Sequence, residues 1–230
     1  MEKYQGKSVY GAIAVGRISI FKRQDVQVKR IKVEDINAEI ARLEAAKENA
    51  IAQLQEIYEK ALREVGEANA QIFEIHMMMV EDDDYNEAII EMIHGQNVNA
   101  EYAVAVTADN FAEMFSSMDD SYMQARAADV RDISNRIIAC MSDVGCDNSV
   151  SDEKVIICAD DLAPSETVSL DKDKVLAFVT AHGSSNSHTA ILARNMNIPA
   201  IIGVGEQFLG QIKDGDMAIA DGFAGQFIWD

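Results

Sequence analysis

The stretch of sequence that decides the fold is Thr180-Ala-His-Gly-Ser-Ser-Asn-Ser-His-Thr-Ala-Ile-Leu-Ala-Arg194. An apolar run ends at Thr180, small polar residues follow, and an apolar helical pattern begins at His188. This order predicts a β-strand, a Gly/Ser/Asn loop and a helix, which is typical of an α/β domain. Ligands of open α/β sheets gather at such strand-to-helix turns. A functional site is therefore expected here.

His188 stands where a histidine can serve phosphoryl transfer. The first N–H groups of a helix have no partner within the helix, so they can hold a phosphate with help from the helix dipole. The same dipole disfavours a protonated imidazolium, which keeps a ring nitrogen free to attack phosphorus. From the residues alone, a mere polar residue near a helix start is the more common case. A serine hydrolase is disfavoured, because the chain has no Gly-x-Ser-x-Gly motif.

Short apolar runs that are typical of strands occur at both ends of the chain. Residues 11–16 and 17–21 form two such pieces near the start. After Gly145, strands are predicted at Val155–Ala159, Val175–Thr180, Ala200–Ile202, Met217–Ala220 and Gln226–Trp229. A helical pattern at His188–Asn195 lies between two of them. The two ends together therefore predict one α/β domain.

The middle of the chain predicts helices. Both prolines, Pro164 and Pro199, lie in the last third of the chain, so long helices are unobstructed before them. Apolar residues at a 4–3 spacing from Ile36 to Ala61 predict a helix of nearly thirty residues, on the order of 45 Å long. Further helices are predicted around 72–79, from Asp82 to Gly95, and near 99–115 and 120–142. Short polar connections favour an antiparallel bundle inserted into the α/β domain.

The charge of the chain is strongly negative and unevenly spread. The 230 residues include 39 acids and 20 bases, which gives a net charge of −19. Residues 64–125 hold no Lys or Arg. Such a chain should repel nucleic acid and anionic membranes and attract a basic partner. A solvated acidic surface and a docking face for a basic protein are both open interpretations.

Targeting signals and metal motifs are not evident in the sequence. No apolar run approaches the ~18 residues of a membrane span, and the N-terminus does not resemble a signal peptide. The three cysteines, Cys140, Cys146 and Cys158, show no CxxC spacing, so a disulfide framework or a zinc site is not expected. These features favour a reduced, cytoplasmic protein.

Longer motifs carry a family resemblance. Gly183–Arg194, followed by Asn197-Ile-Pro-Ala-Ile-Ile-Gly203, resembles the phosphohistidine signature of phosphoenolpyruvate-utilising enzymes. Ala159-Asp-Asp-Leu-Ala-Pro-Ser-Glu-Thr167 is similar to the segment that precedes the phosphohistidine in Enzyme I of the bacterial sugar phosphotransferase system. Phe73-Glu-Ile-His-Met-Met-Met-Val-Glu-Asp82 and Arg126-Ala-Ala-Asp-Val-Arg-Asp-Ile133 resemble its helical domain. The resemblance covers essentially the whole chain, in the family's order.

The fold that this resemblance implies is α+β with two domains. Residues 1–24 and 145–230 would form a swivelling α/β phosphohistidine domain. Residues 25–144 would form the inserted antiparallel helical bundle, which binds the carrier protein HPr. In this family the bundle docks HPr, whose face around its active histidine is basic. The acidic stretch 64–125 suits that partner independently.

The resemblance also assigns roles at the site. His188 matches the histidine that accepts phosphate from phosphoenolpyruvate and passes it to a histidine of HPr, and Thr167 matches a threonine that hydrogen-bonds this imidazole. The phosphate loop and helix start would comprise Gly183, Ser184, Ser185, Asn186, Ser187, Thr189 and Arg194. The usual Gly-Gly-Arg-Thr-Ser-His is here Gly-Ser-Ser-Asn-Ser-His. Ser185 cannot replace the arginine's charge, whereas Asn186 can still donate a hydrogen bond, so the transfer rate and partner preference stay open.

The expected contacts with HPr lie on the bundle. The steering charges would be Glu67, Glu74, Asp82 and Asp84, and the apolar contacts Met78, Met79, Tyr85 and Phe115. His76 and Arg126 are further candidates for carrier contact. Methionine is adaptable and suits a transient interface. A place in the bundle core is the alternative for each apolar residue, and an ion pair with Asp129 or Asp132 is the alternative for Arg126.

Full-length members of the family add a C-terminal domain that binds phosphoenolpyruvate and magnesium and makes the dimer contacts. The resemblance therefore implies a monomeric fragment of a phosphoenolpyruvate-protein phosphotransferase that binds no cofactor itself and is active only in exchange with HPr. Two alternatives stay open. One is a paralogue that serves a nitrogen-regulatory or dihydroxyacetone-kinase carrier, and the other is a non-catalytic docking module.

Overall fold

The computed structural model describes residues 2–21, 28–142, 153–183 and 188–229. The chain forms two compact units. One comprises Met1–Gln24 with Asn148–Asp230, and the other comprises Asp25–Asp147. The first unit contains a β-sheet with two helices and the second is helical, so the expected α+β fold class is confirmed.

The helical unit is built from long helices joined by short connections. In chain order they are α1 (Ile36–Val65), α2 (Glu67–Val80), α3 (Asp83–Gln96), α4 (Ala100–Ser116) and α5 (Ser121–Met141). The predicted helix of nearly thirty residues is confirmed as the 30-residue α1, which ends at Gly66 with φ +84°. Among the helices of the described residues, none combines the length and the apolar character needed to cross a membrane.

Aspartate side chains begin three of these helices. The Asp35 carboxylate accepts from the backbone N–H of Ala38 at 3.0 Å, at the start of α1. Asp82 accepts in the same way from Tyr85 at 2.9 Å, at the start of α3. Asp120 caps α5. Each cap satisfies an N–H group that has no partner within its helix, which explains the helix starts at Asp82 and Asp120 that the sequence predicts.

An ion-pair network ties α1 to α4. The guanidinium of Arg42 donates to Glu39 at 2.6 Å and to Glu101 at 2.7 Å. Glu39 also accepts from the backbone N–H of Ala100 at 2.6 Å. Burial alone would raise the pKa of the Glu101 carboxyl, but hydrogen bonds from Arg42, its own backbone and Asn99 outweigh burial and lower it. Hydrogen bonds to Glu101 and then Glu39 raise the pKa of Arg42.

The strands of the other unit, within the described residues, form one sheet. In chain order they are β1 (Glu2–Gln5), β2 (Lys7–Tyr10), β3 (Ile13–Ile20), β4 (Val155–Ala159), β5 (Val175–Thr180), β6 (Ala200–Ile202), β7 (Met217–Asp221) and β8 (Gln226–Trp229). Their order in the sheet is β1-β8-β7-β3-β4-β5-β6-β2. The pairs β3–β4, β4–β5 and β5–β6 are parallel, and the other pairs are antiparallel.

Both faces of the parallel half of the sheet are covered. One face contributes Ile18, Ile156 and Val179 to a core that also contains Phe208 and Trp229. The other face packs against the segments around α6 (Pro164–Ser169) and α7 (His188–Met196). All five residues of β4 are buried, as expected for a central parallel strand. This arrangement places α6 and α7 on the same face.

Four elements differ from the sequence predictions. The strands β1 and β2 were not predicted, and neither was the short helix α6. The strand pieces expected at 11–16 and 17–21 are one continuous strand, β3. Pairing explains the first difference, because β1 is held by β8 and β2 by β6, both from the far end of the chain.

Gly222 allows a close backbone approach in the sheet unit. Its N–H donates to the carbonyl of Ala12 at 2.8 Å, and the Ser8 hydroxyl donates to its carbonyl. A Cβ at this position would lie 2.2 Å from the carbonyl oxygen of Tyr10 and 2.8 Å from that of Ala12. Both neighbours are backbone atoms, so neither can move away without disturbing the sheet.

We predict that Gly222→Ala lowers the free energy of unfolding of the sheet unit by about 2–3 kcal/mol, because the added methyl overpacks backbone atoms. Trp229 is the single tryptophan of the chain and lies in β8, so its fluorescence in a urea titration reports on this unit. Gly210→Ala is the matched control, since a Cβ there meets nothing within 4 Å. Equal unfolding midpoints for the two variants would contradict the prediction.

We predict that Glu101→Gln destabilises the helical unit by about 1 kcal/mol at neutral pH, a modest value because Arg42 is partly exposed. The lowered pKa means that the carboxylate's contribution is complete above the ordinary glutamate value of 4.5 and is lost as the pH falls below it. The difference between wild type and variant should therefore shrink in acid. Urea unfolding followed by far-UV circular dichroism at several pH values measures this difference, and a pH-independent difference would refute the assignment.

Candidate functional site

The predicted strand and the predicted helix on either side of the Gly/Ser/Asn stretch are both present. Strand β5 ends at Thr180 and helix α7 begins at His188. Gly183 has φ +117°, in the region that favours glycine, so a glycine suits the chain at this point. Residues Ser184, Ser185, Asn186 and Ser187 and the side chain of His188 lie outside the described residues, and their predicted roles stay predictions.

The first turn of α7 is anchored to the segment before α6. Thr189 is buried, and its hydroxyl donates to the carbonyl of Leu162 at 3.1 Å. Leu162 lies between β4 and α6, and the helices α6 and α7 pack against each other. Thr189 directly follows His188, so this hydrogen bond fixes where the helix start lies relative to α6.

Thr167 lies on α6, whose start is well defined. Pro164 occupies the first helical position, and the Glu166 carboxylate accepts from the backbone N–H of Ala163 at 2.6 Å. Thr167 is buried, and its hydroxyl donates to the carbonyl of Ala163 at 2.9 Å. With its only proton used there, the hydroxyl oxygen can serve an imidazole only as an acceptor. Thr167 would therefore accept from an imidazole N–H and leave the opposite ring nitrogen free.

Arg194 lies in the last turn of α7. Six residues, or about 9 Å of helix rise, separate it from His188. Its Nε donates to the carbonyl of Val9 in β2 at 3.3 Å. This contact joins α7 to the edge of the sheet, while the assignment of Arg194 to the phosphate loop stays a prediction.

The predicted carrier contacts divide by exposure. Exposed side chains include all four proposed steering charges, Glu67, Glu74, Asp82 and Asp84, together with Met78. Met78 is 69% exposed, which is unusual for a methionine on a helix. Met79 and Phe115 are half-buried. The acidic charges and Met78 are therefore available to a partner.

The structure corrects the expectation for Tyr85. This side chain is 3% exposed, lies edge-on to the ring of Phe111, and its hydroxyl shares a 2.6 Å hydrogen bond with Ser134. Burial raises the pKa of Tyr85 to about 12. Tyr85 is a core residue of the bundle and has no surface to offer a carrier.

His76 is corrected in the same way, since it is fully buried rather than exposed. Its Nε2 lies 3.3 Å from a carboxylate oxygen of Asp129, and its Nδ1 lies 3.6 Å from one of Asp132. Arg126 donates to the other oxygen of Asp129 at 3.0 Å. The guanidinium of Arg126 also lies over the ring of Tyr122, 4.6 Å from its centroid. The ion pair considered for Arg126 is therefore present. Asp129 contacts both His76 and Arg126, and Arg126 in turn covers the exposed ring of Tyr122.

Two further exposed side chains of the helical unit, Tyr122 and Met114, were not named as contact candidates from the sequence. Tyr122 is 61% exposed near the start of α5, and Met114 is 46% exposed near the end of α4. Both lie within the stretch without Lys or Arg, and that location is the signal that could have found them. Within the described ranges, no three His, Cys, Asp or Glu side chains are grouped closely enough to hold a metal ion.

Comparison with known proteins agrees with this architecture. The family model described as the N-terminal domain of PEP-utilising enzymes matches residues 5–126, and the model for the mobile domain of PEP-utilising enzymes matches residues 151–225. The phosphoenolpyruvate-protein phosphotransferase of Priestia megaterium is 38% identical over 230 residues, which cover 100% of this chain and 40% of the relative. That of Geobacillus stearothermophilus is 40% identical, over 96% of this chain and 39% of the relative. The chain thus spans about two fifths of the length of these relatives.

Solved structures give the same result. The solution structure of an Enzyme I protein, nEIt, superposes with a TM-score of 0.77 at 35% identity, covering 99% of this chain and 92% of that one. The N-terminal domain of a protein described as Enzyme 1 – Nitrogen superposes with a TM-score of 0.66 at 23% identity, a likeness of fold. The chain matches two domain models of the same family and covers an Enzyme I structure almost end to end. It therefore belongs to the PEP-utilising enzyme family and resembles the N-terminal part of Enzyme I.

Proposed function

We propose that this chain carries a phosphoryl group as phosphohistidine on His188 and exchanges it with a histidine of the basic carrier protein HPr. The observation that supports this most is the helix that begins at His188, at the carboxyl end of a parallel strand, with its first turn anchored through Thr189 to Leu162. Free N–H groups at such a helix start suit a phosphate. The names of the relatives state the same class of reaction.

The proposed transfer is a direct displacement at phosphorus. A ring nitrogen of His188 attacks the phosphoryl group on the carrier's histidine, so that one N–P bond forms as the other breaks. Thr167 accepts a hydrogen bond from the second ring nitrogen and so selects the tautomer whose free nitrogen faces phosphorus. The helix N–H groups solvate the phosphoryl oxygens. The reaction is symmetrical in its chemistry and is therefore reversible.

The helical unit is proposed to dock HPr, with residues 25–144 as the binding domain and residues 1–24 and 145–230 as the phosphohistidine domain. Exposed acids on α2 and α3 would steer a basic partner, and Met78 would pack against its apolar contacts. Holding two histidines in line supplies much of the rate of such a transfer.

Phosphoenolpyruvate itself is proposed to bind to the part of the relatives' length that this chain does not span, and to give its phosphoryl group to His188 from there. Magnesium and the dimer contacts would belong to that part as well, and enolpyruvate would be the leaving group of the transfer. A protein with this chain and the relatives' full length would be a cytoplasmic phosphoenolpyruvate-protein phosphotransferase that feeds sugar uptake. The present chain alone should not use phosphoenolpyruvate.

We predict that His188→Ala abolishes phosphorylation by phospho-HPr, a loss of at least about 10³-fold, because the nucleophile is removed. Binding of HPr should stay within about twofold of wild type, since docking uses the other unit. An acid-labile, base-stable label on the chain measures transfer, and calorimetry measures binding. His94→Ala, at an exposed histidine of the helical unit, is the control and should label normally. Label on the His188→Ala protein would overturn the proposal, and binding without label on the wild type would indicate a docking module.

We predict that Glu74→Gln and Asp82→Asn each slow association with HPr by about threefold at low ionic strength, because each removes a steering charge. The effect should fade in about 0.5 M salt, where the Debye length is only a few ångströms. Stopped-flow mixing at several salt concentrations measures the association rate. Glu48→Gln changes an equally exposed acid on α1 and is the matched control. Equal slowing by all three variants would show that only net charge matters and not this face.

A further inference from the structure

An imidazole and two carboxylates meet at the carboxyl edge of the parallel strands. Nδ1 of His182 lies 3.0 Å from a carboxylate oxygen of Asp160, and Nε2 of the same ring lies 3.2 Å from one of Glu206. Asp160 directly follows β4, and His182 is the second residue after β5. Glu206 begins the short 3₁₀ turn after β6. One imidazole therefore bridges the ends of three neighbouring segments of the sheet.

The ring of His182 is oriented from two sides. Each of its nitrogens faces a carboxylate oxygen that belongs to a different segment of the sheet unit. A carboxylate accepts hydrogen bonds and an imidazole N–H donates them, so either nitrogen can donate to the carboxylate that it faces.

The main chain of His182 is held as firmly as its side chain. Its N–H donates to the carbonyl of Asp160 at 2.9 Å, and its carbonyl accepts from the hydroxyl of Thr180 at 2.6 Å. The preceding residue, Ala181, accepts from the backbone N–H of Gly205 at 3.1 Å. These contacts bring the same three segments together through backbone atoms, so the position and direction of residue 182 are fixed on several sides.

Stability alone does not account for this cluster. The side chains of His182, Asp160 and Glu206 are 49%, 65% and 79% exposed, and ion pairs at such exposure contribute little to the free energy of unfolding. Their place in the chain is more informative. His182 immediately precedes Gly183, which is the last described residue before α7 begins at His188. A small displacement there moves a reacting group, and rates of transfer are sensitive to such displacements.

We propose that His182, clamped by Asp160 and Glu206, is a positioning residue that sets the direction in which the chain leaves β5 and so aligns the start of α7 for transfer. The inference rests on the proposed function of His188 for its kinetic consequence. Its structural part, coupling between the carboxylates and the start of α7 through His182, stands by itself.

The structural part is tested by amide chemical shifts in a mutant cycle. Asp160→Asn and Glu206→Gln each change a side chain that is distant in sequence from α7. Each should shift the amide resonances of Thr189 and Ala190 if the clamp reaches the helix start. In a His182→Gln background the same two changes should have little further effect, because members of one unit are not additive. Unchanged resonances at Thr189, or equal shifts in both backgrounds, would overturn the proposal.

The kinetic part is tested by phosphoryl exchange with phospho-HPr. His182→Gln and Glu206→Gln should each lower the maximal exchange rate by about 5–10-fold and leave the half-saturating HPr concentration unchanged, since alignment is lost and docking is not. The double variant should be no slower than His182→Gln alone. His94→Gln, which changes an exposed histidine of the helical unit, is the matched control and should exchange at the wild-type rate.

The outcomes separate this inference from the proposed function. The positioning role would be overturned if the wild-type chain exchanges phosphate and the variants exchange it at rates within twofold of the wild-type rate. It would also be overturned if only the half-saturating HPr concentration changes. Either result would leave the function of His188 intact. Failure of the wild-type chain to exchange phosphate would instead remove the proposed function. The chemical-shift cycle would then decide by itself whether His182 couples the two carboxylates to the start of α7.

Discussion

The parallel register of β4, β5 and β6 is the constraint on which the rest of the sheet unit depends. Strands in this register end at one edge of the sheet, so the segments after Ala159, Thr180 and Ile202 meet there. Because β4 and β5 are buried on both faces, their backbone groups must pair with each other, and the register has little freedom to slip. The hydrogen bond from Thr189 to Leu162 then transfers that fixed geometry to the start of α7.

The helical unit separates its polar groups by depth. Exposed acids on α2 and α3 face solvent, where their charge acts over distance. Beneath the surface, Asp129 lies between the buried ring of His76 and the guanidinium of Arg126, and Arg126 in turn covers the ring of Tyr122. A buried carboxylate with two such neighbours is compensated, whereas an unpaired one would be costly. Most of the acidic charge of α2 and α3 therefore lies at the surface, whereas the buried carboxylate of Asp129 is paired with Arg126.

Long periodic segments could be predicted from the sequence, and short elements held by distant partners could not. The 4–3 spacing gave α1, and the aspartates gave the starts of α3 and α5, because capping is local chemistry. The strands β1 and β2 have four residues each and pair with strands about 200 residues away, which no local pattern reveals. For Tyr85, the core position that the sequence left open as the alternative is the one observed, in line with its spacing of four to Ile89 and of eight to Ile93. The strand that ends at Thr180 and the helix that begins at His188 could be predicted from the sequence, whereas the partners of His182 required the sheet order.

The pairing of β1 with β8 has a consequence for how the chain acquires its structure during synthesis. Glu2 lies opposite Trp229, so β1 is synthesised before its partner β8 and cannot form this pair until β8 has left the ribosome. The helical unit, by contrast, is continuous in sequence and rich in local contacts, which favours early folding. Once the helical unit has formed, less flexible chain connects β3 and β4. The entropic cost of bringing these two strands together is then lower. The inserted bundle would thus act as a folding aid for the sheet that surrounds it in sequence.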